Sequence, residues 1–284
     1  MITYSILQKE LTKLFTQAGI VSAAVDSELL ITELAGISRP EIFLYANELI
    51  PVELEQQIRE LARRRANREP LQYLLKVAYF RDLKLEVTPA VLIPRPETEL
   101  LVDYAIKYLP VGGSMLDLGT GSGAIALSMA TERPDAQITA VDISLEALEV
   151  ARRNAITCQC KVRFLHSNLF AELEGERFDL IGANLPYVSP EEYTRLEPEV
   201  RLFEPALALT AADNGFQLIE RAAEGLVDHL NPGGRAIFEL SPALAPRLTE
   251  ALDKTGAFDL VEVLKDYNQR DRFVSVRYSE KENH

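Results

Sequence analysis

The chain has few of the residues on which nucleophilic, redox or metal chemistry usually rests. Of 284 residues, two are cysteine and three are histidine. Cys158 and Cys160 form a C-Q-C stretch with no second ligand cluster nearby. That spacing does not build a zinc site and points to free thiols in a reducing compartment. His166, His229 and His284 are scattered, and no Ser/His/Asp or metal constellation is visible. Positive charge is also short: 30 Lys and Arg against 43 Asp and Glu, a net charge of −13 and a pI near 4.9. An acidic chain is a poor non-specific ligand for a phosphate backbone. Arg63, Arg64, Arg65 and Arg68 make the only dense basic cluster, and it reads as a solvated helix face. No apolar run approaches the ~20 residues needed to span a bilayer. The start, M-I-T-Y-S-I-L-Q-K-E, has no basic region followed by an apolar run, so no signal peptide is expected. These absences point to a cytoplasmic protein with no membrane partner and no direct nucleic-acid partner.

What is present suits an ordinary globular protein: 47% apolar and 26% charged residues. Residues 1 to about 70 read as helices. Ile6, Leu7, Leu11, Leu14 and Phe15 recur at helical spacing, as do Val25, Leu29, Leu30 and Leu34, ending at Gly36. Ser38-Arg39-Pro40-Glu41 looks like a helix start, with Ser38 as cap and Pro40 in the first turn. A further helix is expected from about Pro51 to Asn67. Four or five such helices make a small bundle, and it carries no catalytic motif. Val77 to Val87 reads as a hairpin. Leu92-Ile93-Pro94-Arg95-Pro96-Glu97-Thr98-Glu99 then has two prolines that restrict its backbone. Its composition favours a rigid linker into a helix from Glu97, with a fixed wall of a site as the alternative.

From about Leu100 strands and helices alternate. Strands are expected near Met115–Leu118, Ile138–Val141, Val162–Leu165, Leu180–Ala183 and Ala236–Leu240. Helices are expected near Ala124–Thr131, Leu145–Ala155, Phe216–Leu230 and Ala245–Thr255. Asp259–Leu264 and Arg272–Tyr278 are joined by a short link, which implies antiparallel pairing. The pattern is an α/β fold: a doubly wound, mostly parallel seven-stranded sheet behind a small N-terminal helical bundle. Residues 1–75 form the bundle, 76–96 the hairpin and proline-rich connector, and 97–284 the sheet domain. Ligands in such sheets bind beyond the carboxyl ends of the strands where strand order reverses.

Two motifs fall at strand ends. Asp117-Leu118-Gly119-Thr120-Gly121-Ser122-Gly123 follows a strand and opens a helix, so its glycines can let a ligand approach the backbone. Asp142 ends the next strand, where a carboxylate can accept both hydroxyls of a ribose. Gly119, Gly121 and Ala124 also satisfy a dinucleotide fingerprint, so the loop alone does not separate a nicotinamide cofactor from S-adenosylmethionine. Asn168, after the third strand, stands where a side chain can contact adenine.

The close glycine triplet after Asp117 and the second motif, Asn184-Leu185-Pro186-Tyr187, which has no use in hydride transfer, tilt the choice toward S-adenosylmethionine. An amide or exocyclic amino nitrogen is a poor nucleophile, since its lone pair is delocalised. A site that accepts both N–H hydrogens can favour a pyramidal nitrogen and aim the lone pair at a sulfonium methyl group. The Asn184 side-chain oxygen and the Leu185 carbonyl can be those acceptors, Pro186 can stiffen the turn, and Tyr187 can stack on the planar group. Orientation and fixed dipoles then supply the catalysis, and no strong base is required.

Together these features resemble the peptide chain release factor glutamine-N(5) methyltransferases, the PrmC/HemK family. The resemblance covers essentially the whole chain. It rests on the helical N-terminal part, R-E-P-L-Q-Y at 68–73, L-I-P-R-P-E-T-E at 92–99, D-L-G-T-G-S-G, N-L-P-Y, R-L-F-E-P-A-L-A-L at 201–209 and R-D-R at 270–272. It implies that the substrate is the glutamine of the Gly-Gly-Gln loop of class I release factors and that S-adenosylmethionine is the methyl donor, leaving as S-adenosylhomocysteine. It implies that Asp117, Gly119 to Gly123, Asp142, Asn168, Leu169 and Asn184 serve the cofactor, and that Asn184 to Tyr187 hold the glutamine. Residues 1–75, a helical segment without catalytic motifs joined by a hairpin to a complete cofactor fold, are expected to recognise the substrate protein. A monomer is expected. The chain departs from the family in two places. Leu185 stands where many members have Pro, and Leu169 where some have Trp, so Leu169 offers apolar contact only. Rival readings are a glutamine methyltransferase for a ribosomal protein, which needs identical site chemistry, and a nucleic-acid amino methyltransferase, which the acidic charge disfavours. A non-catalytic binding module is the reading that an intact Asn184 and Tyr187 argue against.

Overall fold

In a computed structural model of the protein, residues 2–279 are described. His284 and the end of the expected sheet domain lie outside them. The described chain divides into two compact units, Met1–Val77 with Glu197–Phe203, and Ala78–Leu196 with Glu204–His284.

The first unit is helical: α1 (Tyr4–Gln17), α2 (Ala23–Ala35), α3 (Arg39–Leu44), α4 (Val52–Ala66) and α5 (Leu71–Leu75). Gly36 closes α2 in the left-handed conformation, and the Ser38 backbone and side chain both bond Glu41 at the start of α3. Leu7, Leu11, Phe15, Leu30, Ile31, Ile42 and Ile58 fill the core. Two expectations need correction. The inner face of α2 is not the purely apolar stripe through Val25. Val25 is exposed, whereas Asp26 and Ser27 are buried. Ser27 is partnered by the Thr12 hydroxyl at 2.7 Å and Asp26 by the Arg65 guanidinium at 2.7 Å. A buried polar group is tolerated when bonded in this way.

The arginine cluster is the second correction, since only half of it is solvated. Arg63 and Arg64 are exposed, but the Arg65 side chain retains 6% of its exposure. Arg65 donates to both Asp26 and Glu199, and Arg68 to both Glu197 and Glu199. Burial opposes the charge on Glu199, yet the bonds from Arg68 and Arg65 hold its carboxyl below the ordinary range. The basic residues therefore lock a distant acidic segment into the helical unit. Breaking a buried ion pair leaves a charge without compensation.

The second unit begins with a hairpin, β1 (Val77–Phe80) and β2 (Leu83–Glu86), and α6 (Glu99–Tyr108). The alternating part follows: β3 (Ser114–Leu118), α7 (Ala124–Glu132), β4 (Gln137–Asp142), α8 (Leu145–Thr157), β5 (Arg163–His166) and β6 (Phe178–Asn184). Three short helices, α9 (Pro190–Tyr193), α10 (Pro198–Phe203, which belongs to the first unit) and α11 (Ala212–Gly215), precede α12 (Gln217–His229). The chain then forms β7 (Leu230–Glu239), α13 (Ala245–Thr255), β8 (Phe258–Lys265) and β9 (Asp271–Tyr278).

The sheet order is β5-β4-β3-β6-β7-β9-β8, and all pairs are parallel except those made by β9. The antiparallel strand, last in the chain, is thus inserted between β7 and β8. Period-two alternation sends Leu116, Leu118, Ile181 and Phe238 to the face covered by α12 and α13, and Met115, Leu180, Ile237 and Phe273 to the face covered by α6 and α7. Strand order reverses between β3 and β6, because β4 and β5 lie to one side and β7 to the other.

Arg65→Ala should lower stability by about 3–5 kcal/mol in urea unfolding, whereas exposed Arg63→Ala should stay within about 0.5 kcal/mol. Equal costs for the two variants would show that the Arg65 pairs contribute nothing.

Candidate active site

A cavity of about 540 Å³ opens at the carboxyl ends of β3, β4 and β6, within the second unit. This is the position where doubly wound sheets bind ligands, and the volume lies in the usual range for small-molecule sites. Gly119, Thr120, Gly121 and Ser122 line it from the turn after β3, Asp142 from the end of β4, and Asn184, Leu185 and Pro186 from the end of β6. Asn168 and Leu169 line it as well.

The glycine turn is held from three sides. The amides of Gly119 and Thr120 both donate to the Val141 carbonyl, at 2.9 and 3.0 Å. The Gly121 amide donates to an Asp142 oxygen at 2.9 Å. Gly119 has φ +74, and a Cβ there would lie 3.0 Å from the Leu185 side chain. The loop and the N-L-P-Y turn are therefore in van der Waals contact.

Asp142 accepts the Gly121 amide through one oxygen and the Ser144 amide through the other, both at 2.9 Å. Burial raises its carboxyl above the usual range, against the opposing pull of the Ser144 and Gly121 amides. Two oxygens fixed at the cavity edge suit a vicinal diol.

Three expected residues stand behind the cavity rather than on its wall. Asp117 is fully buried under the turn, where one oxygen accepts the Thr120 hydroxyl at 2.7 Å and the Ala126 amide at 3.2 Å. Its other oxygen has no hydrogen-bond partner, and burial pushes the carboxyl up to about 7. Gly123 caps α7 and packs on Leu127. The Tyr187 hydroxyl lies 3.4 Å from an Arg272 nitrogen. Burial, with a smaller contribution from Glu239, raises that hydroxyl to about 12, so it stays neutral and accepts the Arg272 hydrogen. Leu169, for its part, holds φ +53 while its side chain joins the core.

The proline segment is a wall of the cavity, contrary to the reading its composition favours: Leu92, Pro94, Arg95 and Thr98 all line it. Its anchor is Glu204, whose carboxylate accepts the Ile93 amide at 3.2 Å and the Arg95 guanidinium at 2.5 Å. Pro205, Leu207 and Ala208 continue the wall from the same segment. Sequence reasoning gave no role to Thr98, Glu204, Glu239 or Arg272 individually. An acid inside the apolar strand A-I-F-E-L at 236–240 was the one signal available, since an unpartnered charge there is costly. Among the described residues, no group of three or more His, Cys, Asp or Glu side chains is placed to hold a metal, and no helix is long and apolar enough to cross a membrane.

The donor set fits a nucleoside cofactor. A turn of close-approach backbone, a rigid carboxylate and an apolar wall meet in one cavity, and the buried unpartnered Asp117 oxygen lies beneath the same turn. Two family models match the chain, the methyltransferase small domain over residues 96–234 and the PrmC N-terminal domain over residues 7–75. A release factor glutamine methyltransferase of Rhodopirellula baltica is 36% identical over 275 residues, covering 94% of this chain and 93% of that protein. One of Neisseria gonorrhoeae is 38% identical over 256 residues, covering 89% and 93%. The chain belongs to the release factor glutamine methyltransferase family. Among solved structures, a methyltransferase from Pyrococcus furiosus shares the fold with a TM-score of 0.55 at 23% identity, covering 70% of this chain and 91% of that one. As a member of this family the chain is an S-adenosylmethionine-dependent methyltransferase.

Asp142→Ala should weaken S-adenosylmethionine binding by roughly 1.5–3 kcal/mol, the scale of hydrogen bonds to a charged group. Calorimetry on the folded variant measures it, and unchanged affinity would remove Asp142 from the cofactor site.

Proposed function

We infer that the protein methylates the side-chain amide nitrogen of a glutamine in a peptide chain release factor, the glutamine of the Gly-Gly-Gln loop. The observation that carries this reading is the convergence of Asn184, the glycine turn and Asp142 on one cavity, in a chain related over nearly its whole length to release factor glutamine methyltransferases. When bound, S-adenosylmethionine supplies an electrophilic methyl group on a sulfonium sulfur.

The residues' own work is binding and orientation. The Asn184 oxygen accepts one N–H of the substrate amide and the Leu185 carbonyl the other, so the nitrogen lone pair is aimed along the transfer direction. Pro186 restricts the turn between them. With Tyr187 held by Arg272 behind the turn, its contribution is to fix the motif's backbone. The nitrogen becomes cationic as it accepts the methyl, and its proton leaves to water afterwards. Asp142 holds the ribose, Gly119 to Ser122 pass close to the cofactor chain, and Asn168 and Leu169 flank the base.

The helical unit selects the protein substrate. Phe43 and Leu44, adjacent at the end of α3, are 70% and 77% exposed, and they suit contact with a protein surface. We further propose that the enzyme acts as a cytoplasmic monomer without direct nucleic-acid contact.

Asn184→Ala should slow single-turnover methylation on the order of a hundred- to a thousandfold, the cost of one preorganised polar contact. Wild-type turnover would eliminate the mechanism, and a loss confined to cofactor affinity would make Asn184 a binding residue only. Labelled methyl transfer to release factor, ribosomal protein and an oligonucleotide identifies the acceptor. Replacing Phe43 and Leu44 together by serine should raise KM for intact release factor about tenfold, the effect of losing about 1.4 kcal/mol of contact. The rate on a short Gly-Gly-Gln peptide should not change. Equal effects on both substrates would place recognition elsewhere.

A further inference from the structure

Asn154 lies in α8, 2% exposed and outside the cavity lining, yet its side chain ends on the glycine turn. Its Nδ2 donates to the Ser122 carbonyl at 2.9 Å and to the Glu86 carbonyl at 3.0 Å. Its Oδ1 accepts the Glu86 amide at 2.7 Å. All of these groups belong to the second unit. The amide has one possible orientation. A peptide N–H can only donate and a peptide carbonyl can only accept, so Oδ1 must meet the Glu86 amide and Nδ2 the two carbonyls. Both Nδ2 hydrogens are then used.

The turn that Asn154 meets is loose by composition. Gly119, Gly121 and Gly123 hold φ at +74, +55 and +87. Glycine makes these angles accessible, and it also has the most backbone freedom to lose when a ligand orders it. Gly119, Thr120 and Gly121 are fixed from β4, through the Val141 carbonyl and the Asp142 carboxylate. Ser122 is fixed from α8, through Asn154. α8 comes this close because its facing residues are small. Ala147, Ala151 and Asn154 follow at helical spacing, all three are buried, and a Cβ on Gly123 would lie 3.4 Å from the Ala151 Cβ. The same helix starts from Ser144, whose amide holds Asp142. Asp142 and Ser122 are thus held from two points of one helix.

We propose that Asn154 is a positioning residue for the cofactor. It holds the Ser122 carbonyl, and with it the closing half of the glycine turn, in the binding conformation before S-adenosylmethionine arrives. This rests on the reading of Gly119 to Ser122 as the cofactor turn. The bond contributes to affinity because the ligand does not have to order the turn. Asn154 touches none of the reacting atoms, so methyl transfer at saturating cofactor does not depend on it. Neither an ionised aspartate, which has no hydrogen to give, nor a serine, which has one, can make the same set of bonds.

The test is calorimetric affinity for S-adenosylmethionine and S-adenosylhomocysteine at pH 6 and pH 8. It compares wild type, Asn154→Asp, Asn154→Ser and Arg153→Ala, with thermal unfolding at each pH to establish that each variant is folded. In Asn154→Asp the acceptor for the Glu86 amide is kept, but an anionic oxygen faces the Ser122 and Glu86 carbonyls. Burial raises the pKa of such a group, and its protonated form gives one hydrogen back. Affinities are taken relative to wild type at the same pH, so that the titrations of Asp117 and Asp142 cancel. Asn154→Asp should then bind about tenfold or more weakly at pH 8, the scale of lost hydrogen bonds, and regain most of that loss at pH 6. Asn154→Ser should bind about tenfold more weakly at both pH values. Arg153→Ala removes the exposed ion pair with the Glu86 carboxylate and leaves Asn154 in place, so it should bind as wild type does. The losses should appear in cofactor affinity and cofactor KM, and not in kcat at saturating cofactor.

Wild-type affinity in Asn154→Ser, or in Asn154→Asp at pH 8, would overturn the proposal. So would a loss in Asn154→Asp of equal size at both pH values, or a loss of kcat with affinity kept. If Asn154→Asp is unfolded at pH 8, the affinity of Asn154→Ser decides the matter. Unchanged affinity in Asp142→Ala would instead overturn the reading of the cofactor site, so the two failures are distinguishable.

Discussion

A side chain on Gly119 would crowd the turn beside it. β3 and β6 are neighbours in the sheet, with Leu118 opposite Ala183, so the turns that leave them meet. One turn carries the glycine loop and the other Asn184 and Leu185. A Cβ on Gly119 would lie 3.0 Å from the Leu185 side chain, which is itself 4% exposed. Close packing of this kind transmits shifts rather than absorbing them. The position of the cofactor turn and that of the substrate motif are consequently one quantity. Leu185 thus has two roles, a carbonyl offered to the substrate and a side chain that spaces the two turns.

Around that contact the protein keeps acids where burial disfavours them. Asp117, Asp142 and Glu239 all have carboxyls raised by desolvation, and they stand at or near the carboxyl ends of β3, β4 and β7. Perturbed acids of this kind concentrate at functional sites. Specific donors restrain two of them: Thr120 and Ala126 for Asp117, Gly121 and Ser144 for Asp142. The helical unit uses buried charge differently. There Arg65 and Arg68 pair with Glu199, and the charges serve to tie a segment rather than to shape a cavity.

Periodicity made the alternating half readable, because its strands are apolar runs and its helices are long enough to show a repeat. The same signal is weak in pieces of four to six residues, so α9, α10 and α11 were not anticipated. Their starts rest on local contacts such as the Ser189–Glu192 capping box, and Gly215 is needed because a Cβ there would strike the Tyr187 carbonyl at 2.0 Å. The motifs at Gly119, Asp142 and Asn184 could be read because each sits at a strand end in a known topology. The groups that brace them could not. Glu204 reaches Ile93 across 111 positions of sequence, and Thr98 reaches Asn184 across 86. Such pairings depend on the folded sheet. The buried Asp26 and Arg65 escaped for the same reason: each looks like a surface residue until its partner is known.

In the proposed site the Asn184 oxygen faces the substrate nitrogen while its nitrogen faces Thr98. A crystal structure of the enzyme with S-adenosylhomocysteine and a Gly-Gly-Gln peptide measures this directly. The glutamine amide nitrogen should lie about 3 Å from Asn184 Oδ1, with Nδ2 still bonded to Thr98. A glutamine held by other groups, or an Asn184 whose oxygen accepts from Thr98, would contradict it.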